Sequence, residues 1–471
     1  MSNNYDMIVI GSGPAGESAA QLASYFGYRV AIIERNKPGG TPTTRGGAPT
    51  KTLREAALAL TGFYHQEVYG VDLGAPPAVA LDKLAERTRQ VCQSLQVATA
   101  RRIALLDVAY LHGTARLAPG GKVLLTGEDG SLVELSARVI LIATGSRPLR
   151  PANIPFDDPA VFDVDDIYSL TALPKSLCIV GGGPVGVEFA TIFNALGASV
   201  TLIQMGDRLA PTMDGELAQM MAQIFEERGV RVILGAGTEA VTRLGDQLHV
   251  SLSNGATCEA EAVFFATGRS PNTENLGLDD IGVAVDKRGY IVVDQNFQTN
   301  VPGVYAAGDV LGPGLSSVAM EQGRVAACLA FGIDFLEMVD PIPISAVYGM
   351  PEMAGVGLTE EQCQEQGLEY AVGRATFASI PRGAISGHDG LLKLIFRRDD
   401  RRLLGVHCLG EIASEIIGAG QMVLHYGGTV DIFSAITLPT PTYSYAYKNA
   451  AFDGLRRLGN TKGTHHVRQI T

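Results

Sequence analysis

The chain is poor in cysteine, short of positive charge and without long apolar runs, and each shortage excludes something. Six cysteines are spread over 471 residues, at Cys92, Cys178, Cys258, Cys328, Cys363 and Cys408. No two have CxxC spacing and none joins a histidine at zinc-ligand spacing, so no metal site is expected. Such scattered cysteines read as isolated, reduced thiols of a cytoplasmic protein. Lys and Arg total 37 against 49 Asp and Glu, a net charge of -12. That balance argues against electrostatic binding of nucleic acid. No stretch of eighteen apolar residues occurs, so no membrane span is expected. The opening residues Met1 to Asp6 lack the basic-then-apolar order of a secretory signal. Glycine is in excess instead, at 56 of 471 residues, or about 12% against a usual ~7%. The glycines follow no three-residue period, which excludes collagen, and apolar runs between them argue against disorder.

The glycines cluster where they carry chemistry. The apolar run Met7 to Ile10 leads straight into Gly11-Ser12-Gly13-Pro14-Ala15-Gly16. A helical pattern from Glu17 to Phe26 follows, then a strand Val30 to Ile33 that ends at Glu34, with Arg35 beside it. This is a strand–helix–strand phosphate cradle. Gly11 makes the tight turn, Gly13 lets the backbone approach a pyrophosphate, and Gly16 lets helix and strand pack closely. The phosphates then lie at the helix N-terminus, where free N–H groups and the helix dipole favour anions. Glu34, 23 residues after Gly11, is placed to accept from a ribose 2′-OH.

The pattern repeats. Leu177 to Val180 leads into Gly181-Gly182-Gly183-Pro184-Val185-Gly186, then a helical run from Val187 to Leu196 and a strand ending at Gln204, again 23 residues after the first glycine. One such motif is a weak signal; two with matched offsets predict two dinucleotide sites. Glu34 suits an adenosine with a free 2′-OH, whereas neutral Gln204 accommodates either a 2′-OH or a 2′-phosphate. Arg208, four residues on, either reaches a 2′-phosphate or is an ordinary surface arginine.

Two cradles in one chain of this length resemble the flavoprotein pyridine nucleotide–disulfide reductases. Ala143-Thr144-Gly145 and Ala266-Thr267-Gly268 match that family's ATG turns, and Tyr305 to Asp309, with Gly308, matches its second FAD motif. The resemblance implies an α/β fold of two doubly wound, Rossmann-like domains plus a C-terminal α+β dimerisation domain. It implies residues 1–148 and 270–340 as the FAD domain, 149–269 as the NAD(P) domain, and 341–471 as the interface of a homodimer. FAD and NAD(P)H are the implied cofactors. The stretches Val161 to Ile167, Gly405 to Glu411 and Ala450 to Leu455 are most like the transhydrogenase branch of the family.

The chemistry is narrowed by what departs from the family. Its disulfide segment, roughly G-G-T-C-x-x-x-G-C-x-P-S-K, is here Gly39-Gly40-Thr41-Pro42-Thr43-Thr44-Arg45-Gly46-Gly47-Ala48-Pro49-Thr50-Lys51. Pro42 and Gly47 hold the two cysteine positions, so no thiolate is available there for a dithiol relay. The family's acid/base segment H-P-x-x-x-E is here Thr440 to Tyr445, with Thr440 for the histidine and Tyr445 for the glutamate. Thiol and base are lost together. Lys51 and Glu188 remain at the positions that the family uses as an ion pair beside the flavin, where a fixed cation favours a reduced, more negative ring. Val185 matches a position by the nicotinamide pocket or is plain packing.

Weaker candidates complete the list. Arg45 is a candidate for attracting an anionic substrate. Tyr443, Tyr445 and Tyr447 alternate, so an extended segment would put them on one face, as interface aromatics or as a stacking pocket. His388 and His425 read as isolated, and His465 and His466 as a polar, disordered tail. The expected function is FAD-dependent hydride transfer without a redox disulfide, as NAD(P)+ transhydrogenation. Reduction of a quinone or other small-molecule acceptor, and a regulatory flavin-binding role, stay open as alternatives.

Overall fold

The computed structural model describes residues 3–64, 81–167, 170, 172–388 and 390–459. His465 and His466 lie outside the described residues. Three main sheets carry the structure. The first orders its strands as Ala109–His112, Val30–Glu34, Asn4–Ile10, Leu132–Ile142, Lys122–Thr126 and Thr114–Ala118. Its first half is parallel, with Met7 opposite Val30 and Val139, and Val304–Ala306 adds to the end of Leu132–Ile142. Met7 to Ile10 are buried almost completely, as expected of a strand covered on both faces. Helix Pro14–Tyr25 starts with proline at its first turn and buries a face of Ala15, Gly16, Ala19, Ala20 and Ala23. These small residues let helix Ser316–Phe331 come close, and a Cβ at Gly323 would run into the Ala15 carbonyl.

The second sheet is wholly parallel, in the order Arg231–Leu234, Ser199–Gln204, Ser176–Val180, Ala262–Phe265 and Val161–Asp163. A three-stranded antiparallel sheet, Thr238–Leu244, Gln247–Leu252 and Thr257–Ala260, packs beside it. The chain crosses between the first two sheets twice, at Ser146–Pro148 and Arg269–Pro271, and the crossings pair antiparallel. The third sheet is antiparallel, ordered Ser345–Val347, Glu352–Gly357, Leu403–Gly410, Leu391–Arg397 and Tyr370–Thr376, with helix Ala446–Leu458 across it. Two buried charge pairs tie this sheet to the rest. Arg54 meets Glu352 at 2.8 Å, and Lys393 meets Asp214 at 2.9 Å. Among the described residues, no helix is long and apolar enough to cross a membrane, and no cluster of three His, Cys, Asp or Glu side chains is arranged to hold a metal.

The fold corrects the expectation that all the cysteines are isolated thiols. Cys178, on the central strand of the parallel sheet, and Cys258, on Thr257–Ala260, are joined by a disulfide across a sequence separation of 80. Both are buried in one apolar cluster with Val180, Val250 and Ala260. Sequence spacing could not reveal the pair, because packing of two different sheets brings the strands together. The remaining four, Cys92, Cys328, Cys363 and Cys408, are free. Unfolded but unreduced protein is therefore expected to titrate four thiols, and reduced protein six. A count of six before reduction would mean that the pair is a dithiol.

Candidate active site

The two cradles are built alike, atom by atom. Gly11 has φ +104° and Gly181 φ +107°, conformations that L side chains rarely adopt. A Cβ on Gly11 would run into the Ala143 carbonyl, and one on Gly181 into the Ala266 carbonyl, so each ATG turn closes over its cradle. A Cβ on Gly16 or Gly186 would strike the carbonyl of Gly11 or Gly181 respectively. The middle glycines differ. A Cβ on Gly13 finds only Gly40 Cα, at 4.0 Å, and one on Gly183 finds nothing within 4 Å. No protein atom demands glycine there. Both are the N-caps of their helices, and neither helix has a side-chain cap. The open space lies where exposed N–H groups favour an anion. This fits the pyrophosphate of a dinucleotide at each cradle.

The strand ends close the cradles in the same way. Glu34 is 9% exposed and accepts from the Ser12 amide and hydroxyl at 2.9 Å and from the Asn36 amide at 2.8 Å. Gln204 Oε1 accepts from the Gly182 amide, also at 2.9 Å. The carboxylate offers acceptors only, whereas the Gln204 amide also carries an N–H donor. Arg35 lines the cleft beside Glu34.

A cleft of about 1180 Å³ runs along the first cradle, beyond the ~300–1,000 Å³ of ordinary ligand pockets. Gly11, Gly13, Pro14, Ala15, Glu34, Gly40, Thr41, Thr144, Gly145, Gly308 and Asp309 line it. Thr144 is pinned by Asn272, its hydroxyl donating to the Asn272 carbonyl at 2.8 Å. Asp309 accepts from the Ser146 hydroxyl at 2.7 Å, with Arg269 3.5 Å away. Val185 and Glu188, from the second cradle's helix, line the same cleft. Gly16, Gly181, Gly183, Gly186, Gln204 and Gly268 do not; they shape the cradles behind it.

Lys51 and Glu188 meet where the two halves join. Lys51 Nζ is 2.7 Å from Glu188 Oε2 and lies over the Tyr348 ring, 4.6 Å from its centre. Glu188 is 8% exposed and its other oxygen accepts from the Tyr348 amide at 3.1 Å. The ammonium is thus held by a buried carboxylate and an aromatic face together. Tyr348 carries no motif that a sequence reading could use.

The altered disulfide segment also lines the cleft. Helix Gly40–Thr44 brings position 42 against position 47, where a Cβ on Gly47 would stand 2.5 Å from the Pro42 carbonyl oxygen and 2.6 Å from its Cα. Backbone contact replaces a pair of side chains. Arg45, a candidate for attracting an anion, lines the cleft half exposed and pairs there with Asp165. Burial is the largest influence on the Asp165 carboxyl and raises it above the ordinary range, despite Arg45.

Other expectations need correction. Tyr443 to Tyr445 form a single 3₁₀ turn and Tyr447 belongs to helix Ala446–Leu458, so the tyrosines do not share an extended face. Tyr443 and Tyr447 are buried in their own domain, with hydroxyls bonded to Glu411 and to the Ile416 carbonyl. Helical rise, not strand alternation, sets their directions. Arg208, read as reaching a 2′-phosphate or as a surface arginine, is partly exposed and pairs with Glu361 at 3.0 Å. His388 is not isolated either, since its Nδ1 lies 2.8 Å from Glu411.

Two open cradles, one large cleft and a lysine–glutamate pair between them define a flavin- and nicotinamide-dependent oxidoreductase. The chain belongs to the pyridine nucleotide-disulphide oxidoreductase family, whose profile matches residues 5–323, with the family's dimerisation domain at residues 343–451. It is an FAD-dependent NAD(P)H oxidoreductase. The chain is 36% identical over 461 residues to a soluble pyridine nucleotide transhydrogenase of Pseudomonas entomophila, covering 97% of this chain and 99% of that one. It is 37% identical over 462 residues to one of Mycobacterium bovis, covering 96% and 98%. Among solved structures it is similar to LpdA of Mycobacterium tuberculosis, with a TM-score of 0.87 at 28% identity, covering 96% and 99%. The HOCl-induced flavoprotein disulfide reductase RclA of Escherichia coli gives 0.85 at 27%, covering 95% and 99%.

Proposed function

We propose that the protein is an NAD(P)+ transhydrogenase that works without a redox disulfide, as a homodimer divided at residues 148, 269 and 340. The observation that carries this reading is the junction in the cleft. Glu188 and Val185 line the cleft together with the FAD-side cradle, and Glu188 holds Lys51 at 2.7 Å, while Pro42 and Gly47 fill the positions from which sulfur would accept electrons. The disulfide that the chain does contain joins Cys178 and Cys258, neither of which lines the cleft.

Bound FAD supplies a two-electron carrier between nicotinamides. The chain's own residues do the rest. Gly11 to Gly16, Glu34, Asp309 and Thr144 would hold FAD, and Gly181 to Gly186 with Gln204 would hold NAD(P)H. Lys51 places a fixed positive charge where negative charge develops, and Glu188 fixes that lysine. NADPH and NAD+ use the same pocket in turn, so the 2′ position must be read loosely, and Gln204 does so. The overall exchange, NADPH and NAD+ to NADP+ and NADH, is balanced and needs no further acid or base. That agrees with Thr440 and Tyr445 at the family's acid/base positions.

The test is to reduce the holoenzyme anaerobically with NADPH and then offer NAD+, a thionicotinamide analogue or a quinone. Fast reoxidation by NAD+ and its analogue is expected. Reoxidation by quinone alone would replace this reading with a dehydrogenase. Gln204→Glu should weaken NADPH binding about tenfold and leave NADH within twofold, since a carboxylate there repels a 2′-phosphate. Equal losses for both nucleotides would contradict the role given to Gln204.

A further inference from the structure

The turn that closes the second cradle is gripped from the C-terminal sheet, and we propose that Lys393 is a positioning residue for the nicotinamide nucleotide. The proposal rests on reading Gly181 to Gly186 as the NAD(P)H cradle.

After Gln204 the chain runs through a turn to helix Gly215–Glu227. This turn sits on the cradle. A Cβ on Gly182 would stand 2.8 Å from Leu209 Cδ2, and the Ala210 amide donates to the Gly182 carbonyl at 2.8 Å. The Met213 amide donates in turn to the Ala210 carbonyl, also at 2.8 Å. Asp214 follows, with a fully buried side chain, and both its oxygens accept from Lys393 Nζ at 2.9 Å. Lys393 is 1% exposed and belongs to strand Leu391–Arg397 of the C-terminal sheet.

The grip extends to neighbours. Lys393 Nζ also lies 2.9 Å from Glu216 and 2.5 Å from Glu360, and Arg374 bonds Glu216 at 2.8 Å and Glu360 at 3.1 Å. Glu361 Oε1 bridges the two ends of the turn, accepting from Arg208 and from the Gly215 amide at 3.0 Å. The turn is therefore held at Arg208 and again at Asp214 to Glu216 by residues of the C-terminal sheet and of helix Glu360–Glu365. An ammonium removed from water is unfavourable unless it is well paired, and apolar side chains can fill such a volume with no such demand. Directional bonds fix position as well as proximity. Here the position fixed is that of the turn whose Ala210 amide binds the Gly182 carbonyl. The first cradle is braced within its own half, through the Gly39 amide on the Ser12 carbonyl at 3.1 Å and through Glu34. The anchor thus acts on one cradle and not the other.

The experiment compares Lys393→Met, Lys393→Arg and Asp214→Asn in the FAD-loaded protein. FAD content is measured together with the Kd of 2′,5′-ADP and of ADP, which probe the adenosine half without redox turnover. Lys393→Met and Asp214→Asn are expected to raise both Kd values about tenfold with FAD content unchanged, and Lys393→Arg to return them to within threefold of wild type. Unchanged Kd values in variants that keep FAD would overturn the proposal. If Lys393→Met fails to hold FAD, Glu361→Gln decides from the less buried end of the grip: a rise of threefold or more supports the anchor, and no rise overturns it. Normal wild-type binding with unaffected variants removes the anchor alone. Failure of the wild-type protein to bind either probe removes the cradle assignment as well.

Discussion

Lys51→Met is expected to slow flavin reduction by NADPH about a hundredfold while leaving FAD bound. The structure supplies the reason. The Lys51 ammonium is held 2.7 Å from Glu188, itself buried and fixed by the Tyr348 amide, with the Tyr348 ring beneath. In the role proposed for Lys51, such a charge is aimed before the reaction begins and costs little reorganisation when negative charge builds up beside it. Removing one preorganised group of this kind typically costs ~2.7–4 kcal/mol, or 10²–10³ in rate. Methionine keeps the length and packing of the side chain and removes only the charge. Stopped-flow reduction of the holoenzyme measures the effect, and the FAD content of the purified variant shows that the site is intact. A rate within threefold of wild type would mean that Lys51 only packs the junction. Glu188→Gln separates the two partners. It keeps a hydrogen bond to Lys51 and removes the negative charge, so a smaller loss, about tenfold, is expected.

Much of this site was legible in the sequence because its parts are local. Gly11, Gly13, Gly16 and Glu34 announce a cradle within two dozen residues, and the second copy repeats the offset. Strand–turn–helix geometry depends on near neighbours, so the motif and the structure carry the same information. Lys51 and Glu188 were readable only through family resemblance, since 137 residues separate them. Tyr348 was not readable at all. It reaches Glu188 from 160 residues away, through a backbone amide that every residue but proline possesses. The pairs Arg45–Asp165, Arg208–Glu361 and Cys178–Cys258 were hidden for the same reason: charge and thiol say nothing about partners until sheets are stacked. The tyrosines at 443, 445 and 447 show the opposite failure. Their alternation was a genuine pattern, but tertiary packing placed it in a 3₁₀ turn and a helix, where period two has no meaning.

The middle glycines allow the two nucleotide sites to be removed one at a time. Gly183→Val is expected to weaken NADPH and NADH binding by at least a hundredfold, with FAD content and thermal stability close to wild type. Gly13→Val is expected to do the reverse, giving a folded protein that purifies without FAD. Both glycines have ordinary extended backbone angles, φ -75° at Gly183 and φ -68° at Gly13, so an L side chain causes no strain. Neither would meet another protein atom closer than 4.0 Å at Cβ. Valine's methyl groups would instead occupy the space at the helix N-terminus where phosphate oxygens approach the free amides. The outer glycines make the control. Gly186→Ala and Gly16→Ala drive a Cβ into the carbonyl of the first glycine in their own cradle, so those variants should lose stability before any ligand is added. Isothermal titration of each nucleotide, FAD content and a melting curve distinguish the two classes. Binding of NADPH by Gly183→Val at wild-type strength would mean that the open space beside this helix is not where the pyrophosphate lies. The second cradle would then be a close-packed turn and nothing more, and the hydride donor would have to enter the cleft by another route.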